Sequence, residues 1–132
     1  MNRESILVAD DDRVAVRLLS ESLKALGFNV LVAYDAMQAW MTTQRATPAA
    51  IVLDVNMPGG SGLEVLRKLK RSAKTSTIPV LVVSGSAGAD LLQEVQALGP
   101  DEFLPKPIDR EHLRLTLCRL LGKPLGSPPE SG

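Results

Sequence analysis

Short apolar runs alternate with segments of helical periodicity along the whole sequence, and this alternation restricts the fold more than any other feature. The runs are continuous in hydrophobicity, which is typical of parallel strands covered on both faces. They comprise residues 5–9, 28–33, 50–53 and 80–83. The fifth segment, residues 101–104, begins with two acids, and a strand is predicted there mainly because the alternation requires one. Each run is followed by a helical segment, so the sequence predicts an α/β fold with a doubly wound, five-stranded parallel sheet.

The helical segments carry signals for where they begin and end. Asp109 predicts the start of the last helix, with Ile108 and Leu113 placed to form a hydrophobic staple, and Gly122 predicts its end. Gly27 predicts the end of the first helix. The residues expected on one apolar face of that helix are Ala15, Leu18, Leu19, Ser22, Leu23 and Leu26.

Composition restricts the class of protein. The 132 residues suffice for one domain, expected over residues 1–122, followed by a flexible tail or linker over 123–132. Fifteen basic residues balance fifteen acidic ones, which argues against nucleic-acid binding. We also expect no signal peptide and no membrane span. The single cysteine, Cys118, fits a reducing, cytoplasmic environment.

Polar residues follow four of the predicted strands at the point where each strand ends. Asp10 and Asp11 follow the first strand, Asp54 the third, Ser84 the fourth and Lys106 the fifth. The carboxyl ends of parallel strands meet at one edge of a sheet, where α/β proteins bind their ligands. The sequence therefore predicts one site containing these side chains.

Residues at these strand ends also have separate structural explanations. Asp54 could be a turn residue, Ser84 a loop-capping hydroxyl and Lys106 a solvated surface lysine. Asp12 is expected to cap the first helix, but Asp10 and Asp11 cannot both be caps. Adjacent acids at a strand end are unfavourable unless a cation neutralises them. Mg²⁺ prefers such oxygen ligands, and together with Lys106 it balances the charge of Asp10, Asp11 and Asp54. This chemistry suits metal-assisted phosphoryl transfer to a carboxylate.

Four segments resemble the motifs of the response regulator receiver domain, a family with a flavodoxin-like (βα)5 fold. They are residues 6–12, 53–58, 83–85 and 104–107. The resemblance extends over about residues 5–121. It implies that Asp54 accepts a phosphoryl group from a histidine kinase or histidine phosphotransfer protein. Ser84 and Lys106 would then bind the phosphate oxygens.

The resemblance also implies roles for neighbouring residues. The implied Mg²⁺ ligands are Asp10, Asp11, Asp54 and the backbone carbonyl of Asn56. Ser84 and Phe103 would form a switch, and Asn56 and Ser86 would tune dephosphorylation. The switch would alter the face formed by the fourth helix, fifth strand and fifth helix, which would bind a downstream protein or a second copy of the chain. The resemblance also implies a cis peptide bond between Lys106 and Pro107.

The sequence also fits other functions. Residues 10–14 fit the nucleophile motif of haloacid-dehalogenase-type phosphatases, which would make Asp10 the phosphorylated residue and leave Asp54 without a role. A receiver-like interaction module that is never phosphorylated is a further alternative. A flavin-binding protein of similar architecture is disfavoured, because the acids after the first strand would repel a phosphate.

Overall fold

A computed structural model describes residues 3–57, 62–85 and 89–125 of the chain. The strands are β1 Ser5–Ala9, β2 Asn29–Ala33, β3 Ala50–Asp54, β4 Val80–Ser84 and β5 Glu102–Pro105. The helices are α1 Arg13–Ala25, α2 Ala36–Ala46, α3 Gly62–Arg71, α4 Ala89–Leu98 and α5 Arg110–Leu121. The strands form one parallel sheet in the order β2-β1-β3-β4-β5, which confirms the predicted fold class.

Both faces of the sheet are covered by helices, as the continuous apolar runs predict. One hydrophobic cluster packs residues of α2, α3 and α4 against the sheet, and Leu66 and Val95 belong to it. The other packs α1 and α5 against the opposite face, and Leu23 and Leu117 belong to it. Every residue of β3 and β4 is buried because these strands are central. The edge strand β2 is partly exposed.

The helix termini agree with the sequence signals. The Asp109 side chain accepts hydrogen bonds from the backbone N–H groups of Glu111 and His112 and so caps α5. Gly122 ends this helix with a φ of +69°, and Gly27 follows α1 with a φ of +99°. Such positive values favour glycine because it has no side chain to clash with the backbone. The predictions for these termini are confirmed.

The buried face of α1 differs from the predicted one. Leu18 was expected to be buried, but its side chain is 59% exposed. Leu19 and Leu23 are buried as predicted, and Val16, which was not expected on that face, is buried with them. These residues are spaced by three and four positions and lie along one stripe of the helix, whereas Leu18 lies to the side of that stripe.

The chain continues past α5 for a few described residues. Leu125 packs against the α1–α5 side of the core, and its backbone carbonyl accepts a hydrogen bond from Arg114 at 3.1 Å. Residues 126–132 of the predicted tail lie outside the described residues. No helix within the described parts of the chain is long and apolar enough to cross a membrane.

Two leucines of α5 provide a test of the core. Leu117 is fully buried between α5 and the sheet, and Leu115 on the same helix is 52% exposed. We expect Leu117→Ala to lower the free energy of unfolding by about 2–5 kcal/mol, because it removes buried methyl groups and leaves a cavity. Leu115→Ala should change it by less than about 0.5 kcal/mol. Urea unfolding of both variants measures the difference, and equal losses would contradict this packing.

Candidate functional site

The side chains predicted to form the site lie at the carboxyl edge of the sheet. Asp10 directly follows β1, and Asp54 is the last residue of β3, the neighbour of β1. Ser84 ends β4, and Lys106 directly follows β5. Because these strands are adjacent and parallel, their ends bring the four residues together. The structure thus places them as the sequence predicts.

Lys106 joins the two buried acids of the site. Its Nζ lies 2.7 Å from Oδ2 of Asp10 and 3.2 Å from Oδ2 of Asp54. Asp10 is 1% exposed and Asp54 is 3% exposed. Two buried carboxylates repel each other, so a shared ammonium group is the contact that allows both to be charged. The peptide bond between Lys106 and Pro107 is cis, as the resemblance implies.

The other oxygen of each buried acid is held by the backbone. Oδ1 of Asp54 accepts a hydrogen bond from the backbone N–H of Asn56 at 2.9 Å. Oδ1 of Asp10 accepts one from the backbone N–H of Asp12, also at 2.9 Å. Asp12 itself caps α1 by accepting from the backbone N–H groups of Val14 and Ala15, as predicted. Both carboxylates are therefore fixed in orientation before any ligand binds.

Burial and neighbouring charges shift the titration of this site. Burial raises the pKa of Asp54, and the nearby Asp10 adds to the effect, whereas the Asn56 N–H group and Lys106 oppose it. For Lys106, burial alone would lower the pKa, but the hydrogen bond to Asp10 and the attraction of Asp54 outweigh it. The net result is a raised pKa for Lys106. The ammonium group therefore stays charged at neutral pH.

Three carboxylates at this edge have the chemistry of a divalent-cation site. Asp10, Asp11 and Asp54 each offer one oxygen, and these oxygens all lie within 4.8 Å of one another. Asp11 is exposed, whereas the other two are buried, so the cluster is open to solvent on the Asp11 side. Mg²⁺ prefers hard oxygen ligands and commonly retains several waters. This donor set fits Mg²⁺.

Ser84 and Asn56 form a second contact pair beside Asp54. The side-chain Nδ2 of Asn56 donates a hydrogen bond to Oγ of Ser84 at 3.1 Å. Ser84 is 4% exposed, and its backbone carbonyl accepts from the backbone N–H of Lys106 at 3.0 Å. Asn56 is exposed. It thus contacts Asp54 through its backbone and Ser84 through its side chain.

Phe103 was assigned a switch role by the resemblance, and the structure places it within β5. There it pairs in register with Val82 of β4. It is partly buried and packs against the cluster formed by α2, α3 and α4. Ser86 lies outside the described residues. The structure therefore places Asp10, Asp54, Ser84 and Lys106 together at one site, whereas Phe103 packs against the core.

Gly62 supports the site and was given no role from the sequence. It is the first residue of α3, and a Cβ atom there would lie 2.4 Å from the backbone oxygen of Asp54 and 2.5 Å from Cα of Val55. Its backbone N–H donates to the carbonyl of Val55. Only glycine allows α3 to begin so close to Asp54. The sequence signal that could have revealed this contact is the presence of a glycine shortly after the strand that ends at Asp54.

A groove of about 610 Å³ runs from the site along α1. Lys106 lines it at one end, and Val14, Leu18 and Ile108 supply apolar side chains. Val14 is 60% exposed and Leu18 is 59% exposed. The displacement of Leu18 from the core face of α1 thus creates an apolar surface beside the acidic cluster.

Comparison with known proteins identifies relatives of the chain. The sequence profile of the family described as "Response regulator receiver domain" matches residues 6–117. The transcriptional regulatory protein TctD of Salmonella typhimurium is 36% identical over 126 residues, which cover 95% of this chain and 55% of TctD. The response regulator PleD of Caulobacter vibrioides is 42% identical over 105 residues, which cover 79% of this chain and 23% of PleD.

A solved structure is similar in fold. The chemotaxis protein CheY4 of Vibrio cholerae superimposes with a TM-score of 0.83 at 29% identity, and the match covers 91% of this chain and 100% of that one. The curated relatives are longer. The chain spans about half the length of TctD and about a quarter of PleD.

Substitution of Gly62 tests the close approach of α3 to the site. We expect Gly62→Ala to lower the free energy of unfolding by about 1–3 kcal/mol, because the added methyl group meets backbone that cannot rotate away. Gly85→Ala is the matched control at the same edge. Its added methyl group would lie 3.7 Å from the Lys106 side chain, an ordinary contact, so stability should change by less than about 1 kcal/mol. Chemical denaturation that finds both variants equally stable would contradict this geometry.

The raised pKa of Asp54 predicts a stabilising substitution. The folded state holds the Asp54 proton more tightly than the unfolded chain does, so protonation of Asp54 stabilises the fold at low pH. That stabilisation is lost as the pH rises through the pKa of Asp54 in the folded state. At pH 7 without Mg²⁺, Asp54→Asn should therefore raise the free energy of unfolding and with it the melting temperature. Lys106→Met should lower it, because both acids lose their counter-charge. Thermal unfolding that shows a less stable Asp54→Asn variant would contradict the assignment.

Proposed function

Because the chain belongs to the response regulator receiver domain family, we propose that it accepts a phosphoryl group on Asp54. The observation that carries the proposal is the pairing of a buried Asp54 with Lys106 at the end of the central strand. Asp54 also lies between two acidic side chains and a hydroxyl group. Asp10 and Asp11 lie at the end of β1 on one side, and Ser84 lies at the end of β4 on the other.

The proposed step is a phosphoryl transfer between two acceptors. A carboxylate oxygen of Asp54 forms a bond to phosphorus, and the bond from phosphorus to the donor breaks. The donor takes the electron pair and leaves as a neutral imidazole or, from acetyl phosphate, as acetate. Lys106 neutralises negative charge on the transferred group, and the Ser84 hydroxyl donates a hydrogen bond to it. In this proposal the domain promotes its own phosphorylation and dephosphorylation and does not act as an enzyme on a separate substrate.

A divalent cation belongs to this proposal. Its ligands would be Asp10, Asp11, Asp54 and the backbone carbonyl of Asn56. When bound, Mg²⁺ would supply positive charge that offsets both the acidic cluster and the oxygens of the phosphoryl group. The protein contributes the fixed orientation of the two buried carboxylates through the Asn56 and Asp12 N–H groups.

Asp10 is the less suitable acceptor. Its Oδ1 accepts a hydrogen bond from the backbone N–H of Asp12. Its Oδ2 lies closer to Nζ of Lys106 than Oδ2 of Asp54 does, so both oxygens of Asp10 are already engaged. A phosphatase that uses Asp10 as its nucleophile could still use Ser84 and Lys106, but it would leave the buried Asp54 without a function. These contacts favour Asp54.

Phosphorylation would act as a switch. New negative charge on Asp54 would draw Ser84 and Lys106, which are joined by the β4–β5 backbone hydrogen bond. We propose that Phe103 on β5 responds and that the face of α4, β5 and α5 then binds a downstream protein, with homodimer formation as one use of that face. Asn56 and Ser86 would set the lifetime of the phosphorylated state.

The phosphodonor would be a histidine kinase or a histidine phosphotransfer protein. Its phosphohistidine must reach Asp54 at the rim formed by Asp11, Lys106 and the adjoining groove. The exposed Val14 and Leu18 side chains give that approach an apolar contact surface. The proposal places this activity in the cytoplasm, in a domain over residues 1–122 that binds neither nucleic acid nor membrane, with residues 123–132 as a tail or linker.

Intact-protein mass spectrometry tests the function. Incubation with Mg²⁺ and acetyl phosphate should add one phosphoryl group to the wild-type protein and none to Asp54→Asn. Removal of Mg²⁺ with a chelator should slow the addition at least tenfold, which corresponds to an increase of about 1.4 kcal/mol in the activation free energy. Asp10→Asn should still accept the group, but slowly.

The Asp10 variant separates the two acceptors. An adduct that persists in Asp54→Asn and disappears in Asp10→Asn would replace this function by the phosphatase-type one. Absence of an adduct on the wild-type protein, also with a phosphorylated histidine phosphotransfer protein as donor, would support an interaction module that is not phosphorylated.

A further inference from the structure

The contact between Asn56 and Ser84 links the turn after the phosphoacceptor to the hydroxyl on the neighbouring strand. Nδ2 of Asn56 lies 3.1 Å from Oγ of Ser84. Within residues 3–57, 62–85 and 89–125, this amide is the one side chain that hydrogen-bonds to the hydroxyl. A serine hydroxyl has one proton to donate and lone pairs to accept with. Donation from the amide occupies a lone pair and leaves the hydroxyl proton free.

The position of Asn56 suits it to act on Ser84 and Asp54 together. Its backbone N–H holds Oδ1 of Asp54 at 2.9 Å, and its side chain holds the Ser84 hydroxyl. Ser84 is 4% exposed, so little water is available to orient its hydroxyl. A buried hydroxyl without a fixed partner would occupy several rotamers, and ordering it would then cost free energy when the phosphoryl group arrives.

We propose that Asn56 is a positioning residue that orients the Ser84 hydroxyl as a hydrogen-bond donor to the phosphoryl group on Asp54. The inference rests on the proposed function and adds a physical route by which Asn56 acts. Asn56 works through Ser84 and does not act directly on the phosphoryl group or on an attacking water. The Ser84 hydroxyl would donate this hydrogen bond both when the aspartyl phosphate forms and when it is hydrolysed, because charge develops on the phosphoryl oxygens in both reactions.

A mutant cycle tests whether Asn56 acts through the hydroxyl. The rates of formation and hydrolysis of the aspartyl phosphate are measured with acetyl phosphate and Mg²⁺ in the wild type, Asn56→Ala, Ser84→Ala and the double variant. Asn56→Ala should slow both rates by roughly three- to tenfold, the equivalent of one hydrogen bond. The same substitution should have no further effect in the Ser84→Ala background. Because alanine keeps the backbone N–H, the contact with Asp54 is preserved.

Ser84→Thr is the matched control. It keeps a hydroxyl at position 84, so Asn56→Ala should again slow both rates in that background. An effect of Asn56→Ala that persists in Ser84→Ala would overturn the proposal, since Asn56 would then act without the hydroxyl. Faster hydrolysis in Asn56→Ala would overturn it too, because that result means the amide shields the phosphoryl group from water.

Nuclear magnetic resonance supplies a readout that does not depend on phosphorylation. The Asn56 side-chain amide protons should exchange slowly with water in the wild type and rapidly in Ser84→Ala. The Asn56 backbone N–H should keep its protection in both. Equal exchange of the side-chain protons in the two proteins would overturn the proposal.

The failures of the two ideas are distinguishable. If the wild type takes up no phosphoryl group, the proposed function fails, and the positioning role fails with it even where the amide is protected. If the wild type is phosphorylated but the cycle shows no coupling between Asn56 and Ser84, the positioning role alone is wrong.

Discussion

The contact of the Lys106 ammonium group with two buried carboxylates is the interaction on which the site depends. Asp10 and Asp54 lie on adjacent strands, and each is almost fully buried. Without a shared cation, burial and mutual repulsion would favour protonation of one of them. A neutral Asp54 could neither bind a metal ion nor act as a nucleophile. Lys106 therefore favours the charged form of both acids and ties the end of β5 to the ends of β1 and β3.

Under the proposed function, the same contact would link a change at Asp54 to another surface of the domain. Lys106 divides its charge between two acids, and its backbone N–H bonds to the carbonyl of Ser84. A phosphoryl group on Asp54 would add negative charge on one side of this arrangement. Lys106 and Ser84 would then rearrange together, because they are linked through the β4–β5 pairing. Under the proposed function Phe103 would respond as well, because it is in the strand that leads to Lys106.

Much of this organisation follows from the sequence because it depends on local patterns. Continuous apolar runs predicted the parallel strands, and the rule that strand ends meet at one edge predicted that Asp10, Asp54, Ser84 and Lys106 would be neighbours. The contacts of Asn56 with Ser84 and of Gly62 with Asp54 were not predictable in this way. They depend on the path of a turn and on distances of a few ångströms between segments. Leu18 was misplaced because an apolar residue can lie beside the buried stripe of a helix as well as within it.

Chemical mapping of the phosphorylated residue tests the central claim most directly. Borohydride reduces an aspartyl phosphate to homoserine, so the protein is treated with acetyl phosphate and Mg²⁺, reduced, digested and analysed by tandem mass spectrometry. The account predicts homoserine at position 54 and unmodified aspartate at positions 10 and 11. Homoserine at position 10, or at no aspartate, would contradict it.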